Sequence, residues 1–124
     1  FNLILVGEGP EYNNLKELSI KMGIQDLIIF TGRYEGVKLM SWYKLADFLI
    51  LPSIFEPFGA VVNEALINGC PVLCSKYCGA KIYIKDGENG FVFDKCFFVG
   101  IVHIHTCQIE SSRILYHCPY VGRL

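Results

Sequence analysis

The sequence predicts an α/β domain in which a Rossmann-like parallel sheet is flanked by helices. Short apolar runs alternate with segments whose apolar residues have helical spacing, and most junctions between them carry glycine or proline. Such alternation with short connections favours parallel strands joined by right-handed crossovers. Because ligands of these sheets bind beyond the carboxyl ends of the strands, a site is expected on the loops after Val6, Thr31 and Leu51.

Two strand–helix units are predicted in the first third of the chain. The first is an apolar strand over residues 2–6, followed by a Gly-Glu-Gly-Pro turn and a helix over residues 11–22 that ends before a glycine. The second is a strand over residues 27–31 and a helix over residues 37–46, with Tyr43 on its apolar face.

The remaining predicted elements follow the same alternation. The nearly all-apolar run over residues 47–51 indicates a strand that is covered on both faces. After it come a helix over residues 59–68, a strand over residues 71–75, a short helix over residues 80–84 and a strand over residues 91–93. From residue 95 onward the alternation fails, and no helical period is recognisable.

Size, charge and hydrophobicity exclude several classes of protein. The 124 residues fit one domain, and a net charge of -1 gives no field that would gather nucleic acid, so no nucleic-acid partner is expected. The apolar runs are too short for a transmembrane segment and predict a cytoplasmic protein, with peripheral membrane contact of the parent left open. The cysteines lie in an ordinary α/β pattern and are interpreted as reduced thiols.

The stretch over residues 53–65 holds the strongest candidates for chemistry. Glu56 lies in the predicted loop and Glu64 in the predicted helix, with Gly59 at the start of that helix. Free N–H groups at a helix start can bind a diphosphate without a basic side chain. The groups expected to do so belong to Gly59, Ala60 and Val61. Glu64, roughly one and a half turns into the helix, is placed to accept hydrogen bonds from ribose hydroxyls, and Glu56 from sugar hydroxyls.

Each of these residues also has a simpler interpretation. Glu56 alone is typical of a residue that caps a helix, and Glu64 alone of a solvated helix residue. A lone arginine after a strand, such as Arg33, is usually solvated, although its guanidinium suits a phosphate. A nicotinamide cofactor is rejected because the glycine-rich turn lacks the third glycine and Pro10 has no N–H to donate.

Taken together, the motifs resemble the donor-binding domain of retaining glycosyltransferases of the GT-B fold, the family called glycosyltransferase group 1 or family 4. The resemblance covers roughly residues 3–94 and includes two glutamates separated by seven residues. The motifs that carry it are Val6-Gly7-Glu8-Gly9-Pro10, Phe30-Thr31-Gly32, Ala46-Asp47, Leu51-Pro52-Ser53, Glu56-Pro57-Phe58-Gly59, Asn63-Glu64-Ala65-Leu66 and Asp86-Gly87-Glu88-Asn89-Gly90.

The resemblance implies a nucleotide-sugar donor and assigns roles to individual residues. Glu56 is implied as the catalytic residue that contacts the transferred sugar, and Glu64 as the residue that binds the ribose. The backbone near Gly32 and Arg33 is implied to run beside the nucleobase. The full set of implied donor-binding residues is Phe58, Gly59, Ala60, Val61, Glu64, Gly32 and Arg33. No metal or other cofactor is expected, because helix N–H groups and basic residues would stabilise the leaving diphosphate.

The resemblance also indicates what this chain lacks. Residues 1–94 are interpreted as a donor-binding α/β domain truncated at its start, without the acceptor-binding domain and the basic pair that precede it in the family. Residues 95–124 form a tail that does not match, and its histidines and cysteines have no recognisable zinc-ligand spacing. The chain alone is expected to be inactive. The alternatives are a non-catalytic Rossmann-like module that binds a nucleotide or a protein, or a tail that prevents stable folding.

Overall fold

The computed structural model describes residues 2–94 and, as backbone, residues 113–117. These residues form one parallel sheet with flanking helices, as the sequence predicts for one half of a GT-B fold. Six strands pair in the order β2-β1-β6-β3-β4-β5. Their bounds are Asn2–Val6 for β1, Ile28–Gly32 for β2, Phe48–Leu51 for β3, Val72–Ser75 for β4, Gly90–Phe93 for β5 and Arg113–His117 for β6.

The helices that connect these strands follow the predicted elements closely. Their bounds are Tyr12–Lys21 for α1, Gly36–Leu45 for α2 and Ala60–Ile67 for α3, with 3-10 turns at Gln25–Leu27 and Gly79–Tyr83. The element predicted as a short helix over residues 80–84 is therefore a 3-10 turn. Its hydrogen bonds span three residues, as from the Ile84 N–H to the Lys81 carbonyl at 3.0 Å.

The core lies where α3 and α2 pack on the central strands. Leu49, Ile50 and Leu51 are all buried although successive residues of a strand point to opposite faces, so both faces of β3 are covered. Helix α3 contributes Val62 and Ala65 to the same cluster. Within it, Cys70, Cys74 and Cys78 are buried free thiols.

The sheet contains one strand that the sequence analysis missed. Strand β6 lies between β1 and β3 and is parallel to both, with residue 115 paired to Ile4 on one side and Leu49 on the other. Three apolar residues between an arginine and a histidine are too few to predict a strand from sequence. Part of the unmatched tail thus belongs to the same sheet as residues 2–94. In the described part of the chain, no helix has the length and apolar character needed to span a membrane.

Candidate functional site

The loop between β3 and α3 is held in place by the loop that follows β4. The Glu56 carbonyl accepts the Gly79 N–H at 2.7 Å, and the Glu56 N–H donates to the Tyr77 carbonyl at 3.4 Å. These contacts fix the backbone of Glu56 on both sides. The loop that carries the predicted site is therefore supported by a second loop at the same, carboxyl end of the parallel sheet.

Glu56 caps the start of α3 with its side chain. Its Oε1 accepts the N–H groups of Gly59 at 3.0 Å and Phe58 at 3.3 Å, and only 7% of the residue is exposed. The expectation that the Gly59 N–H is free was therefore wrong, because this N–H already donates to Glu56. The capping role that the sequence analysis kept as an alternative is present in the structure.

Gly59 makes the turn into α3 with a left-handed backbone, at φ 64°. A Cβ at this position would lie 2.5 Å from the Cys78 Sγ and 2.9 Å from the Ala80 Cβ. The helix start therefore packs closely against the 3-10 turn at Gly79–Tyr83, which leaves no space for a side chain at residue 59.

The first turn of α3 offers the remaining N–H groups predicted to bind a diphosphate. Ala60 and Val61 occupy first-turn positions, where an N–H has no acceptor within its own helix. The next N–H, that of Val62, donates to the Gly59 carbonyl at 2.9 Å. Phe58, immediately before the turn, is 84% exposed. The N–H groups of Ala60 and Val61, together with the positive end of the helix dipole, can attract an anion.

Glu64 lies further along α3 and faces α2. Its Oε2 accepts a hydrogen bond from the Tyr43 hydroxyl at 3.0 Å, and Tyr43 is only 1% exposed. Burial raises the pKa of Tyr43 well above its usual value, and the charge of Glu64 raises it further. A tyrosine hydroxyl is protonated at neutral pH even at its ordinary pKa, so the Tyr43 hydroxyl is a donor here. Glu64 is half-buried and not the fully solvated residue of the simpler interpretation.

Gly32 and Arg33 lie at the end of β2, apart from the other predicted residues. Gly32 has a left-handed φ of 76°, and its carbonyl accepts the Gly7 N–H at 2.9 Å. The exposed guanidinium of Arg33 forms an ion pair with Glu35. Because β1 and β6 lie between β2 and β3, these two strands are about 14 Å apart at about 4.8 Å per strand.

The structure thus collects six of the eight predicted residues on one loop and helix, and it leaves the other two at the end of β2, three strand spacings away from β3. The six are Glu56, Phe58, Gly59, Ala60, Val61 and Glu64. The sequence analysis placed Tyr43 on the apolar face of α2 but did not connect it to Glu64. A signal was present, because a buried tyrosine needs a partner for its hydroxyl.

Among residues 2–94, no group of three His, Cys, Asp or Glu side chains is arranged to hold a metal ion. The tail residues His103, His105, Cys107 and Cys118 lie outside the described residues, and only the backbone of residue 117 is described.

Comparison with known proteins identifies the family of the chain. The family model for glycosyl transferases group 1 matches residues 1–97. The chain therefore belongs to the glycosyl transferases group 1 family, which confirms the resemblance carried by the sequence motifs. Strands β1 to β5 and the loop–helix segment that starts at Glu56 lie within the matched residues, whereas β6 lies outside them.

Individual relatives agree with this assignment. An uncharacterized glycosyltransferase of Methanocaldococcus jannaschii is 36% identical over 88 residues, which are 71% of this chain and 23% of the relative. A D-inositol 3-phosphate glycosyltransferase of Streptomyces scabiei is 35% identical over 63% of this chain and 18% of its own length. The chain thus spans about a fifth of the length of the curated relatives it matches.

A solved structure shows the same fold. The crystal structure of WaaG, a glycosyltransferase involved in lipopolysaccharide biosynthesis, matches with a TM-score of 0.67 and 29% sequence identity. The match covers 76% of this chain and 25% of WaaG. The fold of residues 2–94 is therefore the Rossmann-like fold found in glycosyltransferases.

Proposed function

We propose that this chain forms the nucleotide-sugar-binding half of a glycosyltransferase. The protein to which it belongs would transfer a sugar from a nucleotide diphosphate donor to an acceptor hydroxyl, with retention of the anomeric configuration. The observation that carries the proposal is the segment from Glu56 to Glu64, where two held carboxylates flank the N-terminus of α3. One half of a cleft cannot catalyse transfer alone, so an acceptor-binding domain is the expected partner.

The diphosphate would bind at the first turn of α3. The N–H groups of Ala60 and Val61 supply donors, and the helix dipole favours negative charge at this end. The net charge of the chain is only -1, so attraction of a phosphate has to come from such local donors. No metal is part of this proposal, since preorganised N–H donors can stabilise the leaving diphosphate.

Glu56 would contact the transferred sugar through its second carboxylate oxygen. The N–H groups of Phe58 and Gly59 both donate to the Glu56 Oε1. Within the described residues, Oε2 therefore has no hydrogen-bond partner. The carboxylate is nearly buried and held by two backbone groups, which fixes its orientation before a donor arrives. Such preorganisation lowers the entropy lost on binding. Glu64 would bind the ribose, and the loop at Gly32 and Arg33 would run beside the base.

The experiment is calorimetric titration of the full 124-residue chain with UDP, GDP, ADP and their sugar conjugates. We expect one base to be preferred and Glu64→Ala to weaken its binding by about tenfold, the effect of losing a hydrogen bond to a charged group. Glu88→Ala is a matched control because that glutamate is exposed and, among the described residues, its carboxylate pairs only with Lys85, at 3.6 Å. Retention is tested by NMR of the sugar product from any preparation that turns over donor.

Two results would contradict the proposal. One is a chain with a cooperative unfolding transition that binds none of the diphosphates. The other is equal affinity in the wild type and in Glu64→Ala, since the ribose would then be held elsewhere. Binding of a nucleotide without any dependence on the sugar conjugate would favour the non-catalytic module.

A further inference from the structure

Tyr43 and Glu64 connect two helices next to the proposed donor site. The Tyr43 hydroxyl on α2 donates to the Glu64 Oε2 on α3 at 3.0 Å. Tyr43 is among the largest fully buried side chains of the described residues, whereas Glu64 is half-buried. A rigid, buried donor therefore holds one oxygen of a carboxylate that reaches the surface.

We propose that Tyr43 is a positioning residue for the ribose of the donor, acting through Glu64. By binding Oε2, the Tyr43 hydroxyl leaves Oε1 of the same carboxylate to accept from the ribose hydroxyls. Within the described residues Oε1 has no other partner. This inference depends on the proposed function, because it assigns the ribose to Glu64.

The physical reason is the flexibility of a glutamate side chain. A free glutamate loses rotamer entropy when it binds a ligand, and that loss weakens binding. A tyrosine has only two side-chain dihedrals, and burial holds those of Tyr43. The hydrogen bond thus restricts Glu64 before the ligand arrives, and the entropy is already lost when the protein folds.

A second contact keeps the two helices in register. Asn68 Nδ2 donates to the Glu64 carbonyl at 2.8 Å and lies 2.9 Å from the Met40 Sδ on α2. Met40 and Tyr43 are three residues apart on α2, and Asn68, at the C-terminal cap of α3, is four residues after Glu64, so both contacts lie on facing sides of the helices. The distance between the Tyr43 ring and Glu64 is therefore set by the backbone of both helices.

The test compares a ribonucleoside diphosphate with its 2′,3′-dideoxy analogue on the full chain, using the base preferred by the wild type. Tyr43→Phe keeps the buried ring and removes only the hydroxyl. We expect it to weaken ribonucleotide binding about fivefold and to leave dideoxynucleotide binding unchanged. In the Glu64→Ala background the same substitution should have no further effect, because the two residues act as one unit.

Tyr12→Phe is the matched control, since the Tyr12 ring packs edge-on against Phe30 on β2, which is three strand spacings from β3. A merely structural role for Tyr43 would lower the affinity for both nucleotides equally, or for neither, and either result would overturn the inference. If the wild type binds and Tyr43→Phe keeps the full preference for the ribonucleotide over the dideoxynucleotide, this inference alone is overturned. A folded wild type that binds neither nucleotide overturns the proposed function and this inference together.

Discussion

The Gly59 N–H donates to the Glu56 Oε1 at 3.0 Å, and this hydrogen bond makes the loop and the helix start one unit. Glu56 is held by the backbone it caps, and Gly59 adopts the left-handed conformation that turns the chain into α3. The carboxylate proposed to contact the sugar and the turn proposed to open the diphosphate site cannot move independently. Substitutions at either residue should therefore affect both stability and binding.

Glu56→Ala should lower the free energy of unfolding by about 1–2 kcal/mol, the cost of leaving partly buried donors without an acceptor. Two N–H groups lose their acceptor in a nearly buried position. Glu56→Gln should lower the free energy of unfolding by less, because an amide oxygen can still accept hydrogen bonds from these N–H groups. Urea unfolding followed by circular dichroism measures both, with the exposed Glu88→Ala as control. Equal midpoints for Glu56→Ala and the wild type would show that the cap does not stabilise the helix.

Gly59→Ala should destabilise the chain more than Gly69→Ala does. Both glycines have a left-handed backbone, at φ 64° and 76°, so both substitutions carry the strain of about 1–2 kcal/mol that an L-residue meets there. At Gly69 nothing lies within 4 Å of the new Cβ, whereas at Gly59 the Cys78 Sγ would be 2.5 Å away. The difference between the two urea midpoints measures the steric contribution.

Combining Gly59→Ala with Cys78→Ala tests the source of that difference. The smaller side chain removes the Sγ but leaves the Ala80 Cβ at 2.9 Å, so part of the loss should be recovered. Strictly additive effects of the two substitutions would argue against a clash between residues 59 and 78.

Stability should fall as the pH rises from about 9 towards about 11. Burial raises the pKa of the Cys70 thiol from 9.0 to about 11, and the charge of Asp47 acts in the same direction. Between these values the unfolded chain has lost a proton that the folded chain keeps. The stabilising contribution is thus complete below pH 9 and is lost through this window, amounting to about 2–3 kcal/mol.

The measurement is the urea midpoint as a function of pH for the wild type and Cys70→Ala. The variant should be less stable overall, because it leaves a small cavity, but its pH dependence should be shallower. The urea midpoint of the variant should still depend on pH to some extent, since burial also raises the pKa of Cys74 and of Tyr43. Identical slopes would mean that Cys70 titrates alike in both states.

Leu115→Pro should destabilise the fold by at least about 2 kcal/mol, because it removes a backbone donor from a central strand and leaves buried groups unpaired. Residue 115 pairs with Ile4 on β1 and with Leu49 on β3. Leu115→Val keeps the N–H and an apolar side chain and is the matched control. Equal thermal midpoints for these two variants would show that β6 does not stabilise the sheet.

The local elements of residues 2–94 were predictable because neighbouring residues encode them. Helix α3 was predicted over residues 59–68 and forms over Ala60–Ile67, since apolar spacing and the glycines at both ends define it. Strand β6 was not predictable, because its partners β1 and β3 lie far from it in sequence. The sequence of residues 113–117 does not indicate which strands they pair with.

The candidate site was predicted by residue type but not by hydrogen bonding. The positions of Glu56 and Glu64 around a helix start followed from their spacing. The bonds that hold them did not, because each depends on how separate pieces of backbone pack. Tyr43 meets Glu64 only once α2 lies against α3, and Glu56 Oε1 meets the Gly59 N–H only once the loop has turned.

The central position of β6 has a consequence for synthesis on the ribosome. Strands β1 and β3 are neighbours of β6 and not of each other, and residue 113 is made about 60 residues after β3 ends. At about 5–20 residues per second, this delay lasts roughly 3–12 s. Until β6 is made, β1 and β3 lack the strand that lies between them in the described sheet, and unpaired strand edges can pair with other chains. Closure of the sheet is therefore a late event, and a messenger RNA that stops before residue 113 would release a chain with both edges open.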